Sequence, residues 1–194
     1  MRGNKERFEQ CFPFLYLSHN CYLSEEERAR ILAKGNERVA LGQVSLAALE
    51  LGQRFDAEIQ EAFLVKVSVR WIGMGIGYGL FAEDTIAAGS FVGEYTGIVR
   101  ENNLRYLEPL NNYCYEYPIL DAIGRSYVID ATHGNLTRFI NHSEAPNLQP
   151  LYAFRKGAFH CIFLALREIQ KEEQLSYNYG KSYWYLRQAP EQLL

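Results

Sequence analysis

Arg138-Phe139-Ile140-Asn141-His142-Ser143-Glu144-Ala145-Pro146-Asn147 is the stretch on which the reading of this chain turns. An asparagine side chain offers a hydrogen-bond donor and an acceptor together, which suits the paired donor and acceptor on an adenine edge. Taken alone, the stretch also admits plainer readings. His142 fits a buried imidazole bonded to backbone. Asn141-His142-Ser143 and Asn135-Leu136-Thr137 both match the glycosylation sequon, a match with little weight where no signal peptide is seen.

Downstream stands Glu173-Gln174-Leu175-Ser176-Tyr177-Asn178-Tyr179-Gly180. If this segment is extended, the period of two puts Tyr177 and Tyr179 on one side. Two phenols on one face line a polar channel or serve as half-buried packing, and the segment alone does not choose. Upstream stands Gly73-Met74-Gly75-Ile76-Gly77-Tyr78-Gly79-Leu80-Phe81-Ala82, whose glycines permit close backbone approach to a ligand. It is not a dinucleotide fingerprint, since no convincing helix and no phosphate-site Lys-Ser/Thr follow. A plain hairpin turn is the competing reading.

Around these segments the texture changes once. Over 24–64, Ser24 followed by Glu25, Glu26 and Glu27 forms a capping box with an acidic first turn. Ile31, Leu32, Leu46, Leu49, Phe55, Ile59 and Phe63 then recur at helical spacing, with Gly35 and Gly42 as expected breaks. Two or three short helices are expected there. From Val65 the signal becomes strand-like, with Val65, Val67 and Val69 alternating with Lys66, Ser68 and Arg70, and further strands expected at 90–95, 113–119, 126–129 and 159–166. No long helix alternates with them, so several small sheets are expected in place of one parallel sheet, and the body is mostly β.

Composition narrows the classes. At 194 residues, 48% apolar and 22% charged, the chain has the balance of an ordinary folded protein and room for one substantial domain plus a small extension. The net charge of −3 lacks the basic field that neutralises phosphates, so a cationic partner fits better than nucleic acid. Cys11, Cys21, Cys114 and Cys161 are scattered with no CxxC pair, which signals neither a disulfide framework nor a zinc ribbon. Cys11, His19 and Cys21 lack a fourth ligand and read as packing residues. With no apolar run long enough for a signal peptide or a membrane span, an intracellular protein is expected, exported only by a route that reads no cleaved signal.

Taken in order, these segments resemble the SET-domain family of protein-lysine methyltransferases over about residues 65–180. Gly77-Tyr78-Gly79-Leu80-Phe81-Ala82 is similar to the family's cofactor-loop GxG, and Phe91-Val92-Gly93-Glu94-Tyr95-Thr96-Gly97 to the strand and turn that follow it. Asp130-Ala131-Thr132 leading into Arg138-Phe139-Ile140-Asn141-His142-Ser143 and Pro146-Asn147 resembles the family's most specific signature, and Leu175-Ser176-Tyr177-Asn178-Tyr179-Gly180 its closing motif. The resemblance implies small antiparallel sheets and a pseudoknot, in which the closing segment threads beneath the loop of the asparagine-histidine segment and brings Asn141 near Tyr179. Residues 1–64 would be a helical N-terminal extension, 65–180 the SET domain and 181–194 an aromatic tail.

The resemblance also implies an activity: transfer of a methyl group from S-adenosylmethionine to a lysine ε-amine in a protein, leaving S-adenosylhomocysteine. Gly77, Tyr78 and Gly79 would contact the methionine portion of the cofactor, with Arg138, Asn141 and His142 holding it too. Tyr179 matches the catalytic tyrosine, and Tyr113, with Tyr115 as the alternative register, an aromatic wall of the lysine channel. Tyr177 stands where the family carries phenylalanine or tyrosine, and a tyrosine there resembles enzymes that stop at one or two methyls.

This sequence departs from many members in having Glu144 where a cysteine often follows the asparagine-histidine-serine run, and no cysteine after Gly180. It resembles zinc-free members, bacterial SET proteins among them. Trp184, within Lys181-Ser182-Tyr183-Trp184-Tyr185-Leu186, is then expected to lie against the adenine ring and close the site. The implied partner is a lysine-containing protein, histones and other basic proteins included. A peptide-binding module without turnover and a methyltransferase acting on a small amine are the alternatives, and the sequence fixes neither the substrate nor an oligomeric state.

Overall fold

The computed structural model describes residues 12–102, 111–120, 124–184 and 187. Its first strand, β1 (Cys21–Tyr22), precedes three helices, α1 (Glu25–Ala40), α2 (Leu46–Arg54) and α3 (Asp56–Gln60). Ser24 caps α1 by accepting the Glu27 N–H, with Glu25, Glu26 and Glu27 in the first turn, where the helix dipole favours negative charge. Ser45 does the same for α2 through the Ala48 N–H. Gly42 ends the first helical stretch in the left-handed region at φ 65°.

Gly35 is not the break that the sequence suggests; it lies inside α1. A Cβ on it would stand 1.9 Å from the Gly157 carbonyl oxygen, and one on Gly52 in α2 would stand 1.9 Å from that of Phe154. Both glycines let a helix lie directly on backbone. The hairpin beneath them consists of β9 (Leu148–Arg155) and β10 (Ala158–Ala165), which with β4 (Phe91–Tyr95) forms a sheet in the order β4-β10-β9.

A second sheet runs β1-β5-β7-β6, with β5 (Ile98–Glu101), β6 (Cys114–Leu120) and β7 (Ser126–Asp130). The glycine run is a hairpin whose arms are β2 (Val67–Gly73) and β3 (Gly77–Ala82). The last pair is β8 (Asn141–His142) with β11 (Ser176–Tyr177). Small sheets in a mostly β body are as expected. The reading of the sequence passes over β9, which contains Pro150. Proline demotes a candidate strand unless it lies at an edge, and β9 is the edge of its sheet.

The N-terminal segment is bound into the body rather than laid on it. β1 pairs in parallel with β5, Leu17 N–H donates to the Gly134 carbonyl, and Thr96 Oγ1 donates to the Leu17 carbonyl at 2.6 Å. Asn20 donates to Glu94 Oε1 and accepts the Gly97 N–H. The core beneath holds Leu80, Val92, Val99, Ile129, Phe163, Ile169 and Leu175 without solvent contact. Among the described residues no helix is long and apolar enough to cross a membrane. Cys11 lies outside the described residues, as do Tyr185 and Leu186 of the tail.

Gly52→Ala forces α2 off the Phe154 backbone. The expected cost is about 1–3 kcal/mol of unfolding free energy, read as a lower urea midpoint, whereas an unchanged midpoint would show that the helix shifts freely.

Candidate active site

The site begins where β8 and β11 meet. They pair in parallel, Ser176 opposite Asn141 and Tyr177 opposite His142, and Ser143 N–H donates to the Tyr177 carbonyl at 3.2 Å. So short a ladder holds little by itself, and side chains supply the rest. Asn147, 2% exposed, accepts the Ser176 N–H on Oδ1 at 2.9 Å and donates from Nδ2 to the Gln174 carbonyl at 2.8 Å and to Glu173 Oε1 at 2.9 Å. His142 Nδ1 accepts the Tyr179 N–H at 3.0 Å. The closing segment is thereby fixed against residues 141–147.

Beside this knot opens a cavity of about 520 Å³, and Gly77, Tyr78, Tyr113, Arg138, Asn141, His142, Tyr177, Tyr179 and Trp184 all line it. Asn141 Nδ2 donates to the Tyr78 carbonyl at 3.1 Å, tying β8 to β3 across the opening. The side chain of Arg138 lies between two rings, 3.7 Å from the Phe14 centroid and 3.9 Å from that of Tyr113. Its Nη1 donates to the Thr132 carbonyl, in the turn that Asp130 braces by accepting the Thr132 N–H. Burial pulls the Arg138 pKa below the ordinary guanidinium value.

Gly79 is the one expected site residue outside the cavity wall. A Cβ there would meet Ile72 Cδ1 at 2.3 Å and Gln174 Nε2 at 3.0 Å, so its glycine serves packing between β2 and the closing segment. Tyr113 lines the cavity by covering Arg138. Its alternative, Tyr115, packs behind, 5.6 Å from Tyr95 and 6.2 Å from Tyr177 between centroids.

Tyr179 closes the cavity floor. Its hydroxyl donates to the Ile140 carbonyl at 2.8 Å, and its ring lies 4.6 Å from both Tyr177 and Tyr183. Burial pushes the phenol pKa up, and Tyr183 and Tyr113 add to the rise. A phenol held protonated, with its proton committed to a carbonyl, is poorly suited to act as a base. Tyr177 is 7% exposed and its hydroxyl makes no hydrogen bond among the described residues. Trp184, in the helical turn α4 (Lys181–Trp184), stacks on Tyr179 at 11° and 6.1 Å and stands edge-on to His142 at 5.0 Å.

Sequence reading missed Tyr95, Tyr183 and Arg187, which also line the cavity. Tyr95 ends a strand whose five residues are all buried, so its one signal in sequence is its place just before the Thr96-Gly97 turn; its hydroxyl donates to the Tyr113 carbonyl at 2.8 Å. Arg187 carries no such signal. Its guanidinium ties the tail to the loop before β6, through the Asn111 carbonyl at 3.0 Å and Asn112 Oδ1 at 2.9 Å, and covers Tyr183 at 4.1 Å.

The cavity wall offers both donors and an acceptor to a polar ligand. A guanidinium faces the cavity, the Asn141 Oδ1 makes no hydrogen bond among the described residues, and Gly77 at φ 86° leaves open the space a Cβ would fill.

A mostly β protein with tyrosines, an asparagine and a histidine gathered where β8 and β11 pair is a narrow class. The SET domain family matches residues 77–180, and the chain belongs to that family. Among similar proteins, histone-lysine N-methyltransferase EZH2 of Chaetomium thermophilum is 34% identical over 116 residues, covering 55% of this chain and 8% of the relative. A putative histone-lysine N-methyltransferase, ASHH4, of Arabidopsis thaliana is 39% identical over 106 residues, covering 53% and 30%. N-lysine methyltransferase KMT5A-A of Danio rerio is 32% identical over 136 residues, covering 66% and 39%. An active polycomb repressive complex 2 in the stimulated state superposes with a TM-score of 0.54 at 28% identity, over 66% of this chain and 17% of that one. The match thus spans well under half the length of each of these relatives.

Glu173, which braces Asn147, has its pKa held down to about 2, chiefly by the hydrogen bonds from Arg167, with Asn147 and the Gln170 N–H helping. A depressed carboxylate stabilises the fold above its ordinary pKa near ~4.3, and that contribution is lost as pH falls towards the folded value. The melting-temperature gap between the native chain and Glu173→Gln is therefore expected to be open near neutrality and to close in strong acid; a gap independent of pH would contradict this.

Proposed function

We propose that the chain is a protein-lysine N-methyltransferase that uses S-adenosylmethionine and yields mono- or dimethyl-lysine. The observation that carries the proposal is the convergence of Tyr177 and Tyr179 with Asn141 and His142 at one cavity, through the β8–β11 pairing. Family membership and the named relatives, several of them histone-lysine N-methyltransferases, support it. Arg138, Asn141, His142 and the backbone at Gly77 and Tyr78 would hold the cofactor, with Trp184 against its adenine ring. The tail, rather than a zinc cluster, would close the site.

The bound donor supplies an already electrophilic methyl on a sulfonium, so the remaining requirements are alignment and a neutral amine. Free lysine has a pKa near ~10.4, and a dry aromatic channel lowers it by disfavouring the charged form. Tyr95 and Tyr177, both buried, provide such walls. The Tyr179 hydroxyl donates its proton in a hydrogen bond to the Ile140 carbonyl, so toward a substrate its oxygen can act as an acceptor. Transfer rate is expected to rise into alkaline pH, as the amine loses its proton. The Tyr177 hydroxyl is available to bond the amine or a water and takes the room of further methyls.

Incubation with labelled S-adenosylmethionine and a panel of basic proteins, histones included, tests the reading. Tyr179→Phe is expected to lower transfer by roughly 10²-fold or more, as loss of a preorganised polar group does. Cofactor binding without transfer to any panel member would put a peptide-binding module or a small-amine methyltransferase ahead. Tyr177→Phe is expected to extend the product toward trimethyl-lysine in mass spectra. Efficient trimethylation by the native chain would contradict the assignment of that tyrosine.

A further inference from the structure

We infer that Glu144 is a positioning residue for Tyr179, acting through the tautomer of His142. The inference rests on the reading of Tyr179 as the residue beside the reacting groups, and deepens it. It starts from a donor that cannot be reassigned. The Tyr179 backbone N–H points at His142 Nδ1 at 3.0 Å, and an amide nitrogen only donates, so Nδ1 presents its lone pair. A neutral imidazole with that pattern carries its proton on Nε2.

That Nε2–H belongs to a side chain 2% exposed, and it faces Glu144 Oε1 at 3.1 Å. Tyr179 and Trp184 box the ring edge-on at 5.3 and 5.0 Å and hold its orientation. A buried N–H without an acceptor is costly, so the carboxylate reinforces the tautomer that the Tyr179 amide requires. Its second oxygen, Oε2, accepts Asn178 Nδ2 at 3.1 Å, and Asn178 Oδ1 accepts the Gly180 N–H at 2.8 Å. One carboxylate therefore reaches Tyr179 from two sides, through the ring bonded to its own amide and through the residue before it.

Glu144 itself does not line the cavity, and its side chain is 79% exposed. An exposed charge pair contributes little by attraction alone. Its weight is as a pair of acceptors in fixed places. Alanine removes both, so the Nε2–H tautomer is then held by the Tyr179 N–H alone, and any Nδ1–H population sets a donor against that amide. Glutamine keeps an acceptor for Nε2–H but turns an amide nitrogen toward Asn178 Nδ2, a donor whose own amide is pinned by Gly180.

The test uses the full chain labelled with ¹⁵N-histidine. Long-range ¹H–¹⁵N spectra are expected to show His142 as the Nε2–H tautomer in the native chain and in Glu144→Gln, and as a mixture in Glu144→Ala. Misplacement at a reacting centre can cost about 10²-fold, so kcat is expected to fall roughly 10- to 100-fold in the alanine variant. The fall should be smaller in the glutamine variant, with the KM for the protein substrate unchanged in both. Native kcat in Glu144→Ala, with or without a tautomer change, would overturn the inference. If the alanine variant fails to fold, the glutamine variant decides: partial loss of kcat with the tautomer kept supports the inference, and native kcat overturns it. A native chain that transfers no methyl would instead overturn the methyltransferase reading. Exchange of the Tyr179 amide would then decide the positioning alone, faster in both variants if Glu144 acts as inferred and unchanged if it does not.

Discussion

The Asn147 carboxamide joins two pieces of chain that no local preference would bring together. It accepts from the Ser176 amide, 29 residues away, and donates to the Gln174 carbonyl and the Glu173 carboxylate. Its burial makes the arrangement close to obligatory, because every hydrogen-bonding position left empty there would carry the full desolvation penalty of a buried polar group. The two-residue ladder between β8 and β11 becomes possible on that anchor. Asn141, His142, Tyr177 and Tyr179 of the cavity lie on or next to that ladder.

From the anchor the structure propagates outward in two directions. On one side the closing segment continues to Leu175, fully buried, whose N–H donates to the Leu80 carbonyl of β3, so that the glycine hairpin and the knot share one backbone network. On the other side it continues to Tyr179 and the tail, where stacked rings and the Arg187 contacts bring α4 over the cavity. Long-range contacts of this kind cost loop entropy before they repay it. They are repaid by a core that also takes in the N-terminal segment, through β1 and the Asn20 bonds to Glu94 and Gly97.

Much of this was legible in the sequence, unevenly. Nine of the ten residues singled out through the family resemblance line one cavity, although the chemistry and spacing of each motif alone left plainer readings open. Gly79 stands apart from them, its missing side chain making room for Ile72. Gly35 misled, its absent side chain making room for the Gly157 carbonyl rather than ending a helix. The strands β1 and β5 were too short to stand out, and Pro150 hid β9. Arg187 and Glu144 act through partners distant in sequence or through a ring tautomer, which no periodicity records.

A crystal structure of the native chain with S-adenosylhomocysteine and a lysine-containing peptide tests the central claim most directly. The account requires the homocysteine portion between Gly77 and Arg138, with the lysine amine approaching along Tyr177 and Tyr179. Cofactor bound at the second cavity, beside Phe63 and Ile86, or a lysine that never reaches Tyr179, would contradict it.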